Sequence, residues 1–286
     1  MSYLIGFEID WNIIRASVID SESMKIVKYE DRINLSPVVE GFLDPSEAIK
    51  QVWETLDLDA VDNHKVSVSI GLEQAGMVSS SDHKQTARDI EERIHMPISW
   101  LSLDKNVFGY IRSDYMNLLN RIFRKNQIPL NRIELAPQAL IRVMKRDYSG
   151  QLTLTSGAGW KISVEKGVIT DAETSVDILS ERGVKIVTKK SIKDVIQIRN
   201  IEVPDELLAK YQIEISDLFV SAGTALSLVN EKDTGFLETV TDDVEVVEID
   251  LSDRIDIDYD EGKDYTIDTE TDDKKSSGIF GKFRKN

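Results

Sequence analysis

The sequence predicts a two-lobed α/β protein followed by an acidic tail. Three observations carry that expectation. The first 71 residues read β-β-β-α-β, an antiparallel meander returns at 151–171, and from about 252 the apolar pattern stops.

The opening elements follow from alternation and turn residues. Residues 3–9 read as a strand, Asp10-Trp11-Asn12 as a turn, and 13–19 as a second strand. Asp20-Ser21-Glu22-Ser23 turns the chain again, and 25–29 supply a third strand. Asp44-Pro45-Ser46-Glu47 marks a helix start, because Ala48, Ile49, Val52, Trp53 and Leu56 then recur at helical spacing. Residues 65–71 are the next strand. A small subdomain is expected as an insert over about 72–135, with helices near 82–95 and 114–126 and a strand at 98–103 between them. This first lobe ends near 145, after Ile133-Glu134-Leu135 leads into a helix starting near Pro137.

The second lobe is expected over 146–251. Its meander runs from 151 to 155, through Gly157-Ala158-Gly159, along 161–164, and back from the Lys166-Gly167 turn along 168–171. The expectation is a mixed sheet in each lobe, with the two meanders in separate sheets. Helices are expected near 191–199 and 204–211, then a short strand at 217–220. Ser221-Ala222-Gly223-Thr224-Ala225 follows, in the strand–turn–helix form that often receives phosphate or nucleoside.

Charge separates the body from the tail. The formal charge is −16, but residues 242–273 carry fifteen acids against Arg254 and Lys263, and 274–286 carry five bases and no acid. Residues 252–277 are too polar to build a core and read as a disordered linker. The body is also acidic, which argues against nucleic acid as a partner. No run of about 18 apolar residues occurs, and the N-terminus has no secretion signal. The absence of cysteine excludes disulfides and thiolate chemistry.

Three segments together resemble the actin-like ATPase superfamily, in particular its branch of PilM proteins of type IV pilus assembly, with the division protein FtsA as a relative. Gly6-Phe7-Glu8-Ile9-Asp10-Trp11-Asn12-Ile13-Ile14-Arg15-Ala16 is similar to the family's first phosphate loop. Thr155-Ser156-Gly157-Ala158-Gly159 is similar to its second, and Ser221-Ala222-Gly223-Thr224-Ala225 to its adenosine motif. Glu134-Leu135-Ala136-Pro137-Gln138-Ala139-Leu140 resembles the stretch that leads into the second lobe. The resemblance covers residues 3–250 and implies an actin-like fold with duplicated β-β-β-α units. It places a nucleotide site on Glu8, Asp10, Asn12, Gly157, Ala158, Gly159, Ser221, Gly223 and Thr224, with ATP and Mg²⁺ as the family's cofactors.

The loops depart from the pattern in one direction. Glu8 stands where the family has Asp, Asp10 where it has Gly, Trp11 and Ile13 where it has small hydroxyl residues, and Thr155 where it has the second acid. An unfavourable charge at about 4 Å costs roughly 1–4 kcal/mol. The expectation is therefore a degenerate ATPase, with no cofactor and no turnover. Gly157 to Gly159 also read as a plain glycine turn, and 221–225 as a plain strand–helix connection.

No Ser–His–Asp set can be read. His64, His83 and His95 are scattered and look like surface residues, so no metal site is assigned, and Trp53 and Trp100 look like core. At the C-terminus, Ile279, Phe280 and Phe283 fall on one arc of a helical wheel, with Lys282, Arg284 and Lys285 around it. That is a short interfacial pattern suited to an anionic membrane surface, or a basic tail for a protein partner.

By resemblance, the function is that of an adaptor at the cytoplasmic face of a bacterial inner membrane. It takes a short N-terminal peptide of a membrane partner in a groove between the meander and the inserted subdomain. The alternative is an FtsA-like or plasmid-segregation ATPase that polymerises with nucleotide, and self-association is open in either case.

Overall fold

The computed structural model describes residues 2–10, 12–36, 38–39, 42–58, 64–71, 74–144, 148–156, 158–175, 183–187, 201–229 and 235–236. Trp11, Gly157, the helix expected at 191–199 and the whole tail from 252 lie outside the described residues. Met1–Val240 form one compact unit; the second unit, Thr241–Asn286, falls entirely in the undescribed part.

The first sheet is built as the sequence predicts. β1 (Tyr3–Asp10), β2 (Ile13–Asp20) and β3 (Lys25–Ile33) form an antiparallel meander. A two-residue hairpin, β4 (Val38–Val39) and β5 (Phe42–Leu43), follows it. Helix α1 (Ser46–Leu56) crosses over to β6 (Lys65–Ile70), which lies parallel to β1. The Asp44 carboxylate accepts from the Ser46 N–H at 2.9 Å, so the start signal does its work through a side chain one residue before Pro45. At the other end Lys28 Nζ donates to the last carbonyls, Leu56 O at 2.5 Å and Asp57 O at 2.7 Å.

The insert is a three-stranded sheet of order β7-β9-β8, made of β7 (Ala75–Ser79), β8 (Ile98–Asp104) and β9 (Val107–Arg112), with α2 (His83–Ile94) packed on it. It is narrower than expected. α3 (Ser113–Lys125) packs into the main core, and β10 (Leu130–Leu135) pairs in parallel with β6 to complete the first sheet, of order β10-β6-β1-β2-β3. Phe7 shows why: its ring meets Phe123 of α3 edge-on at 5.5 Å and Trp53 of α1 at 6.5 Å. Strands β7 and β9 were not anticipated, because Gly76 and Gly109 interrupt their alternation. The Tyr110 ring lies over Gly76 in the register Gly76↔Tyr110, where a Cβ would meet it at 2.3 Å. Trp100 is not core; it is 38% exposed and edges His83 and Phe108. His83 in turn packs on Phe108 at 5.4 Å, so it belongs to an aromatic cluster rather than to the open surface.

After α4 (Ala136–Arg142) the second meander appears as β11 (Gly150–Ser156), β12 (Ala158–Glu165) and β13 (Val168–Ser175). It lies in its own sheet, as expected. A fourth strand, β14 (Gly183–Val187), pairs antiparallel with β11, so among the described residues this sheet is antiparallel throughout and not mixed.

α5 (Asp205–Tyr211) begins after Pro204, close to the 204–211 predicted. The strand expected at 217–220 is a 3₁₀ turn, Ile215–Leu218, running into α6 (Phe219–Leu226). A short apolar run cannot be told from a strand by period alone, and Leu218, Phe219 and Val220 are all buried. α6 follows the second sheet in sequence yet packs on the first, against β1, β2, β6 and α4. The boundary drawn at 146 therefore does not extend to it. Among the described residues no helix is long and apolar enough to cross a membrane.

Candidate functional site

The two faces of the first sheet differ in chemistry. Ile5, Phe7 and Ile9 of β1 point into the main core, while Gly6, Glu8 and Asp10 alternate onto the other face. Register places two polar rows across that second face. One runs Glu134–Ser69–Glu8–Arg15–Asp31, and the next Arg132–Ser67–Gly6–Ser17–Tyr29.

α6 lies on the second row. Ser17 Oγ and Ser221 Oγ are 2.7 Å apart, and the Ser227 hydroxyl donates to Ser67 Oγ at 2.9 Å. Thr224 turns its hydroxyl back to its own helix at Val220 O, 2.7 Å. Gly6 makes this approach feasible: a Cβ there would stand 2.0 Å from Ser221 O and 2.4 Å from the Ala225 nitrogen. On the helix's other side, a Cβ at Gly223 would stand 2.1 Å from Ala139 O of α4. The strand-to-helix loop expected to wrap a purine is thus a buried helix crossing, with Ser221, Gly223 and Thr224 all inside it. Ala158 and Gly159 lie at the tip of the β11–β12 hairpin, paired with Ser156 and Thr155, the glycine-turn reading of that motif.

The first row carries the charge, at the carboxyl ends of the parallel strands β1, β6 and β10. Open α/β sheets commonly place ligands at that end. Arg15 Nη1 donates to Glu8 Oε1 at 3.0 Å. Arg142 Nη1 donates to Glu134 Oε1 at 2.7 Å and pairs electrostatically with Oε2 at 2.6 Å, and the glutamate is fully buried. Glu134 is reached from β10, and Gln138 closes the turn beside it by accepting from the Leu135 N–H at 3.0 Å. Burial drives the Glu8 carboxyl up to about 7; Arg15 opposes this, while Asp10 and Asp217 add to it. Burial by itself would lower the Arg15 guanidinium, but Glu8, with Tyr29, Asp10 and Asp217, holds it above its ordinary value. Asn12 sits in the β1–β2 turn, and its carbonyl accepts from the Asn34 N–H at 2.7 Å.

A Mg-triphosphate asks for backbone N–H groups, hydroxyls and uncommitted cations around its phosphates. The described end of β1 offers Glu8 and Asp10 instead, and its arginines are matched by glutamates. These residues do not fit that ligand. Among the described residues no three Asp, Glu, His or Cys side chains converge closely enough to hold a metal ion. Sequence reasoning singled out Glu8 and Asp10 but missed Arg15, Arg142, Tyr29 and Asp217. One signal was present: Arg15 interrupts an apolar strand at a position whose neighbours are buried, and a charge there needs a partner.

No protein-family model matches the sequence, and no curated protein matches it. Among solved structures the chain is similar to the PilM–PilN type IV pilus biogenesis complex, at 12% identity and a TM-score of 0.44, over 60% of this chain and 61% of that one. It is also similar to the cytoplasmic domain of EpsL, an inner membrane component of the type II secretion system of Vibrio cholerae, at 10% identity and a TM-score of 0.46, over 83% of this chain and 98% of that one. A third likeness is the ethanolamine utilization protein EutJ from Carboxydothermus hydrogenoformans, at 13% identity and a TM-score of 0.37, over 61% of this chain and 52% of that one. The chain spans less than two thirds of the PilM–PilN chain it matches. These scores are below 0.5, so the fold is described by what the chain itself displays: a meander extended by two parallel strands, a second meander in a separate sheet, and a late helix that returns to cross α4 on the first sheet.

Proposed function

We propose that this protein is an actin-fold adaptor of a pilus or secretion assembly, which binds a short peptide of an inner-membrane partner and does not turn over ATP. The observation that carries the reading is the commitment of both buried acids, Glu8 to Arg15 and Glu134 to Arg142, at the end of the sheet where a phosphate group would need free donors. The buried crossing of α6 over Gly6 supports it, since the motif that would enclose a purine is packed against β1 and α4. The peptide's place is the groove between the meander and the insert, and the protein then works at the cytoplasmic face of the inner membrane.

Three measurements test this. Calorimetry with Mg-ATP is expected to show weak or no binding, and phosphate release is expected to stay at background. Micromolar affinity that disappears in Gly157→Asp overturns the reading in favour of a polymerising ATPase. Fluorescence anisotropy with the cytoplasmic N-terminal peptide of a single-span membrane protein encoded beside this one is expected to show saturable binding.

The tail supplies the membrane arm of the proposal. Ile279, Phe280 and Phe283 enter the interface while Lys282, Arg284 and Lys285 meet anionic headgroups, each base contributing about 1 kcal/mol. Liposome co-sedimentation is expected to rise with anionic lipid, fall with salt, and vanish in Phe280→Asp/Phe283→Asp. Equal pelleting of the double variant removes the tail as an anchor.

A further inference from the structure

We propose that the acidic end of the first polar row receives the guanidinium or ammonium side chain of a partner protein. Among the described residues three carboxylates share a sheet face with Arg15, and a fourth bears on it electrostatically. Glu8 and Asp31 flank Arg15 as its cross-strand neighbours, and Asp10 stands two residues beyond Glu8 on the same face. Asp217 comes from the 3₁₀ turn that leads into α6, and it acts on Glu8, Arg15 and Tyr29 alike. Among the described residues Arg15 faces three aspartates and a Glu8 carboxyl that burial holds up to about 7, so this end carries net negative charge even where Glu8 is protonated.

Tyr29 is the independent observation. It is 2% exposed, and its hydroxyl has no hydrogen-bond partner among the described residues. It stands one row from Arg15 on the same face, with its ring edge-on to Tyr211 at 5.8 Å, and the hydroxyl lies within electrostatic reach of Asp31, Arg15, Glu8 and Asp217. A buried phenol left without a partner costs about 1–3 kcal/mol, so it is a group that a ligand can satisfy. Burial is the main cause of the upward displacement of Glu8; Asp10 and Asp217 add to it, in the direction that an added cation would relieve.

The distribution of the acids selects the kind of cation. They do not converge as metal ligands do. Carboxylates spread over two strands and a turn suit a group that carries several N–H donors on an extended frame, as arginine does and, less rigidly, lysine. That the cation arrives on a protein rests on the adaptor reading; the charge and the Tyr29 hydroxyl stand without it.

The test is an NMR titration of the full chain with acetyl-Gly-Arg-Gly-amide, with acetyl-Gly-Gln-Gly-amide and spermidine as separate arms. The arginine peptide is expected to shift the Arg15 and Tyr29 amides with a low-millimolar Kd, and the glutamine peptide to leave them unmoved. Asp10→Asn/Asp217→Asn is expected to weaken the arginine peptide at least about 5-fold, or about 1 kcal/mol. Tyr29→Phe, which removes only an unpartnered hydroxyl and so does not lower the melting temperature, is expected to weaken it too. Shifts that survive the double variant, or that appear equally with glutamine, overturn the proposal. Shifts with spermidine alone also overturn it, since the site would then serve free polyamines. Anisotropy with the partner peptide separates the two ideas: binding there with a silent tripeptide sinks the cation site alone, and the reverse sinks the adaptor alone.

Discussion

Gly6→Ala is expected to destabilise the protein by about 3 kcal/mol or more, the cost of overpacking where the surroundings cannot relax. The added methyl would lie 2.0 Å from Ser221 O and 2.4 Å from the Ala225 nitrogen, and both are backbone atoms of α6. Relief requires the helix to lift from β1. Lifting breaks the Ser17–Ser221 and Ser227–Ser67 contacts and loosens α6 against Ala139 of α4. Gly109→Ala is the control. Its nearest neighbour, at 2.5 Å, is the Leu135 side-chain methyl, which can turn aside, so about 1 kcal/mol is expected. Urea unfolding of the two variants distinguishes them. Equal losses would mean that α6 does not depend on its contact with Gly6.

The same glycine shows what the sequence made legible. Gly6 was visible as part of a phosphate-loop pattern, and that pattern located the correct strand and turn. Its role is different: it is open to a helix that arrives more than 200 residues later. Local pattern could not give that partner. The meanders, α1, α2, α3 and the lead into α4 were readable because each has a period and a punctuation signal of its own. Ser221 to Ala225 were misread because small residues allow close approach in a loop and in a helix crossing alike, and only the tertiary neighbour decides which. Glu8 was legible as a candidate, yet Arg15 and Arg142, which change its meaning and that of Glu134, were not. An ion pair across strands leaves no spacing rule in one sequence when the register is unknown.

Glu8 also makes stability depend on pH in an unusual direction. Its carboxyl is held near 7 in the folded protein, against an ordinary 4.5, chiefly by burial. Between those values the folded state keeps a proton that the unfolded chain has released. Stability therefore falls as pH rises from 4.5 to 7, by about 3 kcal/mol for this group. A salt-bridged carboxylate pulled below its ordinary value would do the opposite. Burial decides the sign; of the groups that face Glu8, Arg15 lowers it, whereas Asp10 and Asp217 raise it. Asp20 and Asp114 are held low, by backbone N–H groups and by Arg112 respectively, and their loss on protonation falls below pH 4, outside this window. Glu8→Gln fixes the neutral form, so the variant is expected to match the parent near pH 5 and to exceed it by about 3 kcal/mol at pH 8. Chemical unfolding at intervals from pH 5 to 8 measures the difference directly. A parent that gains stability over this range relative to the variant would mean that Arg15 dominates burial, and that Glu8 is a charged, stabilising partner at neutral pH.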